Sequence, residues 1–238
     1  MMIVIDGPAG SGKSSTAKAI ANRTDIQYID SGALYRAVTL IFLEHSGDRV
    51  AFFDAFDKTE ISFSYSDKLF RVFLDGHEVT REIRTQQVAD NVSKVASDPE
   101  IRERVNTLMR KQVKRGNFIA DGRDLSTVVF PDADLKFFME CDLDTRAKRR
   151  YEELTQDNHN VSFEEIRRNL SKRDHMDSSR KHAPLKKSPD AIVIDTSNLS
   201  FREQVDIILN YIYNKEKTSP GETSIIRGDG PDQNKPKS

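Results

Sequence analysis

Gly7-Pro8-Ala9-Gly10-Ser11-Gly12-Lys13-Ser14 has the residue types and spacing of a loop that folds around phosphate. Glycines let backbone N–H groups turn inward onto phosphate oxygens, and a helix beginning near Lys13 adds the positive end of its dipole. In that geometry Lys13 neutralises β and γ oxygens, Ser14 offers its hydroxyl to Mg²⁺, and Ser15 lies close enough to touch the α-phosphate. A plain glycine-rich turn with an exposed lysine needs no particular neighbours. This loop follows the apolar run Met2 to Asp6 and precedes the helical spacing of Ser14 to Asn22, which are the strand and helix the chemistry requires. A nucleoside triphosphate held with Mg²⁺ is the expected ligand.

A second apolar run, Phe118-Ile119-Ala120, ends in Asp121-Gly122. An aspartate there either supports the metal through water, as such sheets often arrange, or makes an ordinary turn with Gly122. A guanine-nucleotide switch protein would carry an Asn-Lys-x-Asp base reader, which is absent, and Asp121-Gly122 lacks the Asp-x-x-Gly spacing. Arginines are more telling. Arg36, Arg84, Arg102, Arg123, Arg146, Arg149, Arg150, Arg173 and Arg180 sit at helix starts, loop edges or in a charged late segment. Each alone reads as a solvated ion pair, but together they suit a cleft that brings two anions face to face.

The elements that must position these groups alternate. Core-type runs at Met2 to Asp6, Phe118 to Ala120, Leu135 to Met139 and Ala191 to Ile194 are separated by helical spacing, so a largely parallel sheet with helical crossovers is expected. Asp30 or Ser31 caps a helix through Leu34, Val38 and Phe42, which Gly47-Asp48 should close. Between about 57 and 84 the pattern turns to antiparallel strands around the Asp75-Gly76 hairpin signal. Residues from about 142 to 189 are helical and too charged for core, the composition of a lid. The fold class is therefore α/β, a P-loop NTPase sheet flanked by helices with a small β insert and a helical lid. One domain is expected over residues 1–213, followed by a disordered polar tail over 214–238.

Lys+Arg of 37 against Asp+Glu of 38 leaves a net charge of -1, so no global field draws the chain to nucleic acid or an anionic membrane. No signal segment or long apolar span is evident, and the single cysteine, Cys141, fits a reducing compartment and a packing role. The five histidines lack metal-ligand spacing and receive no catalytic role. A cytoplasmic monomer whose partners are small-molecule nucleotides is expected.

Beyond the loop, the chain carries Asp30-Ser31-Gly32-Ala33-Leu34-Tyr35-Arg36, Glu82-Ile83-Arg84-Thr85, Asp121-Gly122-Arg123-Asp124 with Phe130-Pro131-Asp132-Ala133, and then Arg173-Asp174, Asp177, Arg180 and Pro184-Leu185. In this order they resemble the bacterial-type cytidylate kinases over roughly residues 1–213. The resemblance implies phosphoryl transfer from Mg-ATP to CMP or dCMP, with the insert on the acceptor side. It implies that Ser31, Ser93, Arg102 and Asp124 surround the acceptor nucleotide, the last three facing the cytosine. It gives Arg36 and Arg123 to the acceptor phosphate, Asp177 to the ribose, and Arg173 and Arg180 to the lid side. An aspartate accepting from N4 and an arginine donating to N3 or O2 do favour cytosine over uracil. Lys13, Arg123 and Arg173 are the expected catalytic cations, with Arg146, Arg149 and Arg150 as further lid candidates. Ser126 departs from the family, which usually has glycine there, and so puts the local turn in question. Two other readings share the loop: a small-molecule kinase acting on a substrate such as shikimate, and a nucleotide-binding interaction module without transfer activity.

Overall fold

Strand β1 (Met2–Asp6) buries four of its five residues, as a β-branched run does when sheet and helices cover it on every side. The computed structural model describes residues 1–45, 48–113, 116–156 and 161–218. In it β1 is the middle of a five-stranded parallel sheet, flanked by β6 (Phe118–Gly122) and β7 (Leu135–Glu140), with β2 (Gln27–Asp30) and β8 (Ile192–Asp195) at the edges. The four core-type runs of the sequence are β1, β6, β7 and β8; Gln27 to Asp30 is a fifth strand beside them. Register decides the chemistry. Asp30 pairs with Asp121, and Asp6 stands one residue further on, opposite Gly122, so three adjacent strands each bring a carboxylate to the C-terminal edge of the sheet.

Helix α1 (Lys13–Arg23) packs on the sheet through Ala17 and Ile20 with α8 (Phe201–Thr218), which contributes Val205, Ile208 and Ile212. Helix α2 (Ser31–Glu44) starts where Asp30 accepts from the Ala33 amide. Helix α2 ends at Glu44, and Gly47 of the expected Gly47-Asp48 stop lies outside the described residues; the Asp48 carboxylate accepts from the amides of Val50 and Ala51 and opens α3 (Arg49–Lys58). An aspartate beside a glycine reads as a stop from sequence, yet the same residue is a good N-cap. The short 3₁₀ turn Glu82–Arg84 leads to α4 (Gln86–Val95), capped by Thr85, and Asp98-Pro99 opens α5 (Pro99–Gln112).

The insert is β3 (Ile61–Ser66), β4 (Leu69–Leu74) and β5 (His77–Glu78), an antiparallel three-stranded sheet. Besides Asp75-Gly76, the hairpin at Asp67-Lys68 has two residues of positive φ, at 53° and 63°, the conformation of a tight two-residue turn. Phe70 and Tyr65 dock this sheet edge-on against Tyr28 of β2, with ring centroids 5.8 Å away in each case.

The charged segment forms α6 (Leu143–Gln156) and α7 (Phe163–Ser178). A small apolar cluster of Ala147, Ile166 and Leu170 closes on Ala9 of the phosphate loop. At the C-terminus α8 continues to Thr218, past the end expected at Tyr213; the rest of the tail, 219–238, lies outside the described residues. Among the described residues no helix is long and apolar enough to cross a membrane.

Candidate active site

The phosphate loop joins β1 to α1 as its chemistry demands. Gly7 has φ 148° and sits so close to β7 that a β-carbon there would stand 2.2 Å from the Met139 carbonyl oxygen, so only glycine fits. Gly12, with φ 92°, caps α1 and no side chain satisfies the first amides of the helix, which stay free for an anion. Lys13 lies inside the loop, donating from Nζ to the Pro8 carbonyl at 2.6 Å and the Ser11 hydroxyl at 3.4 Å. Burial, with the neighbouring Arg123 charge, holds this ammonium well below the 10.5 of an ordinary lysine.

Ser14 and Asp121 are one unit. The Ser14 hydroxyl donates to Asp121 Oδ2 at 2.6 Å and the Tyr28 hydroxyl to Oδ1 at 2.6 Å, while Asp121 is almost fully buried. Burial and the Asp30 charge raise the Asp121 carboxyl. Of the two sequence readings of Asp121, the turn with Gly122 does not describe it: Asp121 and Gly122 both lie within β6 and the carboxylate points to the loop.

Beside Ser14 opens a cleft lined by all nine residues expected around an acceptor, from Ser31 and Arg36 on α2 to Ser93 on α4, Arg102 on α5, Arg123 and Asp124 after β6, and Arg173, Asp177 and Arg180 at the end of α7. Arg102 pairs with Asp124 in a buried contact, donates to the Ala96 carbonyl at 2.9 Å, and lies over the Tyr35 ring at 5.2 Å. Asp177 receives Arg123 Nε at 2.8 Å on one oxygen and Arg180 on the other. Ser31 donates to the Asp121 carbonyl at 2.6 Å, tying the start of α2 to β6. Arg36 reaches Asp30 at 3.4 Å.

Five arginines line this cleft against four aspartates. The buried Nε atoms of Arg36, Arg102, Arg173 and Arg180 have no acceptor among the described residues, and burial with the Arg123 charge lowers Arg173. Buried donors without partners and mutually repelling cations suit a cleft built for an anion.

The further lid candidates Arg146, Arg149 and Arg150 do not line this cleft. Arg146 is buried and donates to the carbonyls of Ala9 and Cys141, both at 3.0 Å, and to Asp174 at 2.7 Å. Arg149 donates to the Thr196 carbonyl at 2.6 Å, and Arg150 pairs with Glu153 on the surface. Their i, i+3 and i, i+4 spacing could not tell which face of α6 meets the loop. Arg146 instead braces the phosphate loop from outside. Ser15 is exposed at the start of α1 and Pro8 and Ala9 form the loop wall. Sequence reasoning assigned no role to Tyr28 or Tyr35. Tyr35 lies four residues after Ser31 on α2, a helical spacing that does place both on one face.

A phosphate loop at the C-terminal end of the central strand of a parallel sheet, opening a helix, defines the P-loop class of nucleotide-binding fold. A crystal structure of an uncharacterized protein from Eubacterium ventriosum shares this fold, with a TM-score of 0.51 and 18% identity over 90% of this chain and 98% of that one. A family model described as cytidylate kinase matches residues 3–214. Among curated relatives, a cytidylate kinase of Carboxydothermus hydrogenoformans is 42% identical, covering 90% of this chain and 98% of that protein. One of Fervidobacterium nodosum is 43% identical, covering 88% and 95%. The chain belongs to the cytidylate kinase family.

Proposed function

We propose that the protein transfers the γ-phosphoryl group of ATP to the phosphate of CMP or dCMP, giving ADP and CDP or dCDP. The observation that carries this reading is the single cleft in which Ser14, at the edge of the donor loop, and nine acceptor-side residues from separate elements converge. The acceptor phosphate is already an anion near neutral pH, so the transfer needs no strong base; positioning and charge neutralisation suffice. Arg36 and Arg123 hold the acceptor phosphate in this reading, Arg173 bridges it to the transferring group, and Lys13 exchanges its loop carbonyl for the β and γ oxygens. Asp177 positions the ribose, with Arg180 held against it. Asp124, Arg102 and Ser93 read the base; an acceptor carboxylate faces the cytosine amino group, whereas uracil would present a carbonyl to it.

The Ser14 hydroxyl and the Asp121 carboxylate are hard oxygen groups of the kind Mg²⁺ takes, and their mutual hydrogen bond orients the hydroxyl. Ser14 and Asp121 would hold Mg²⁺ brought in with ATP, which would supply charge neutralisation on the donor phosphates. Every residue named belongs to one chain, so a monomer suffices, and one buried, unpaired cysteine accords with the cytoplasm.

The test is ADP release by the purified protein with ATP and Mg²⁺ against a panel of CMP, dCMP, UMP, AMP, GMP and shikimate. CMP and dCMP are expected to stimulate release most. Failure of both to do so sinks the reading, and stimulation by shikimate alone would replace it.

A further inference from the structure

Position 126, where family resemblance leads one to expect glycine, does not need glycine's freedom. Ser126 has no positive φ; it lies in a π-helical turn, Leu125–Val129, that follows Asp124. Its side chain is buried and committed. The Ser126 hydroxyl donates to Asp6 Oδ2 at 2.6 Å, its amide donates to the same oxygen at 2.7 Å, and the Leu125 amide donates to Oδ1 at 2.9 Å. Asp6 is fully buried and immediately precedes Gly7, so this carboxylate ties the strand that carries the donor loop to the segment that carries Asp124.

The two ends of the tie differ in rigidity. Asp6 belongs to β1, hydrogen-bonded along both edges by β6 and β7. The π-helical turn has no strand partner among the described residues; it is held by Arg110 of α5, which donates to the Val128 carbonyl at 2.8 Å and the Val129 carbonyl at 3.0 Å. The Asp124 carbonyl accepts from Val128 at 2.9 Å and more weakly from Thr127 and Val129, and its carboxylate pairs with Arg102, so the segment rests on side-chain contacts where β1 rests on two ladders. Slack introduced at the tie therefore moves Asp124 rather than the phosphate loop. Two of the three bonds to Asp6 are main-chain and are available to alanine or threonine at 126; the hydroxyl bond alone is lost in alanine.

We propose that Ser126, acting through Asp6, is a positioning residue that sets the discrimination between cytosine and uracil by fixing the segment that carries Asp124. This rests on the assignment of Asp124 as base reader, so the experiment tests both separately. The kcat/KM ratio for CMP over UMP is measured at saturating ATP for the full chain and for S126A, S126T, D124N and the S126A/D124N pair, with melting temperatures recorded for each.

S126A is expected to lower the ratio by about 3- to 10-fold, the scale of one hydrogen bond to a charged group partly transmitted. The change should appear mainly as a higher KM for CMP, with the KM for ATP within about 2-fold of the parent value. S126T, which keeps a hydroxyl, should hold the ratio. D124N should collapse it, and S126A should add nothing further in that background. If D124N collapses the ratio while S126A merely lowers the melting temperature, Ser126 is structural and the inference is overturned with the base reading intact. An S126T ratio as low as that of S126A, in a protein that melts normally, overturns the hydroxyl's role. If D124N leaves the ratio unchanged, the base reading fails and the inference falls with it.

Discussion

Lys13 directs its charge into its own loop, and this has a pH consequence. The protonated amine is the form that meets phosphate, and burial lowers its proton affinity from the ordinary 10.5. As pH rises, the free enzyme loses that proton earlier than an exposed lysine would, so kcat/KM for ATP should fall on the alkaline side below pH 10.5. Bound polyphosphate restores the proton affinity, so kcat at saturating ATP should show the fall only at higher pH. A pH–rate profile for both parameters checks this, with Lys13→Arg expected to move the alkaline limb upward if it remains active. Lys13→Ala should lose at least about 10²-fold in kcat/KM, the scale of removing a preorganised group that stabilises developing charge; full turnover in that variant would remove the lysine from the mechanism. Residues such as Lys13 and Ser14 were legible because their chemistry is local in sequence. Tyr28 was not. Its hydroxyl meets Asp121 only because β2 and β6 are neighbours in register, a pairing that joins residues 93 positions apart in sequence.

At the scale of elements, the packing of α6 and α7 on the phosphate loop depends on a small core. Leu170 of α7 is buried against Ile166, Ala147 and Ala9. Leu170→Ala should cost about 2–4 kcal/mol in that contact. The loss should appear as faster amide exchange in α6 and α7 and a raised KM for ATP, with protection of the central strands unchanged. The insert invites a parallel test: Phe70→Ala removes a ring from the Phe63, Tyr28 and Phe70 contacts and should destabilise by about 3–5 kcal/mol. It should also weaken the Tyr28 hold on Asp121, visible as a weaker dependence of ATP binding on Mg²⁺. Alternation in Ile61 to Tyr65 made this insert readable. Helix α3 was not readable, because Asp48 serves both as a plausible stop and as an effective start, and propensity does not separate the two. Nor did arginine spacing in α6 reveal that Arg146 braces the loop: helical period gives the face of a residue, not the neighbour that face will meet.

Taken as one molecule, the protein carries a net charge of -1 yet concentrates guanidinium groups in one cleft. Nucleotide binding should therefore stabilise the fold as a whole by relieving their repulsion. CMP at about 100 times its Kd should add about 2.7 kcal/mol, which for a chain of this size corresponds to a rise of roughly 5–10 °C in melting temperature. Thermal melts with CMP, UMP and inorganic phosphate measure it, and the rise should be largest for CMP. Overall architecture was legible because alternating strands and helices admit few arrangements. Which strand lies beside which was not, since sheet order depends on contacts between distant segments.

That order has a kinetic side. Strand β6 occupies the slot between β1 and β2, although both of those are made long before it along the chain. Until Phe118 to Gly122 arrives, the N-terminal strands present two open edges, and Arg102 lacks the Asp124 with which it pairs. Recovery of turnover after dilution from denaturant should thus lag the return of helical signal, and yield should drop as protein concentration rises during that lag. A nascent chain on the ribosome meets the same wait, with its phosphate loop, Arg36 and Arg102 already synthesised and Asp121, Arg123 and Asp124 still to come.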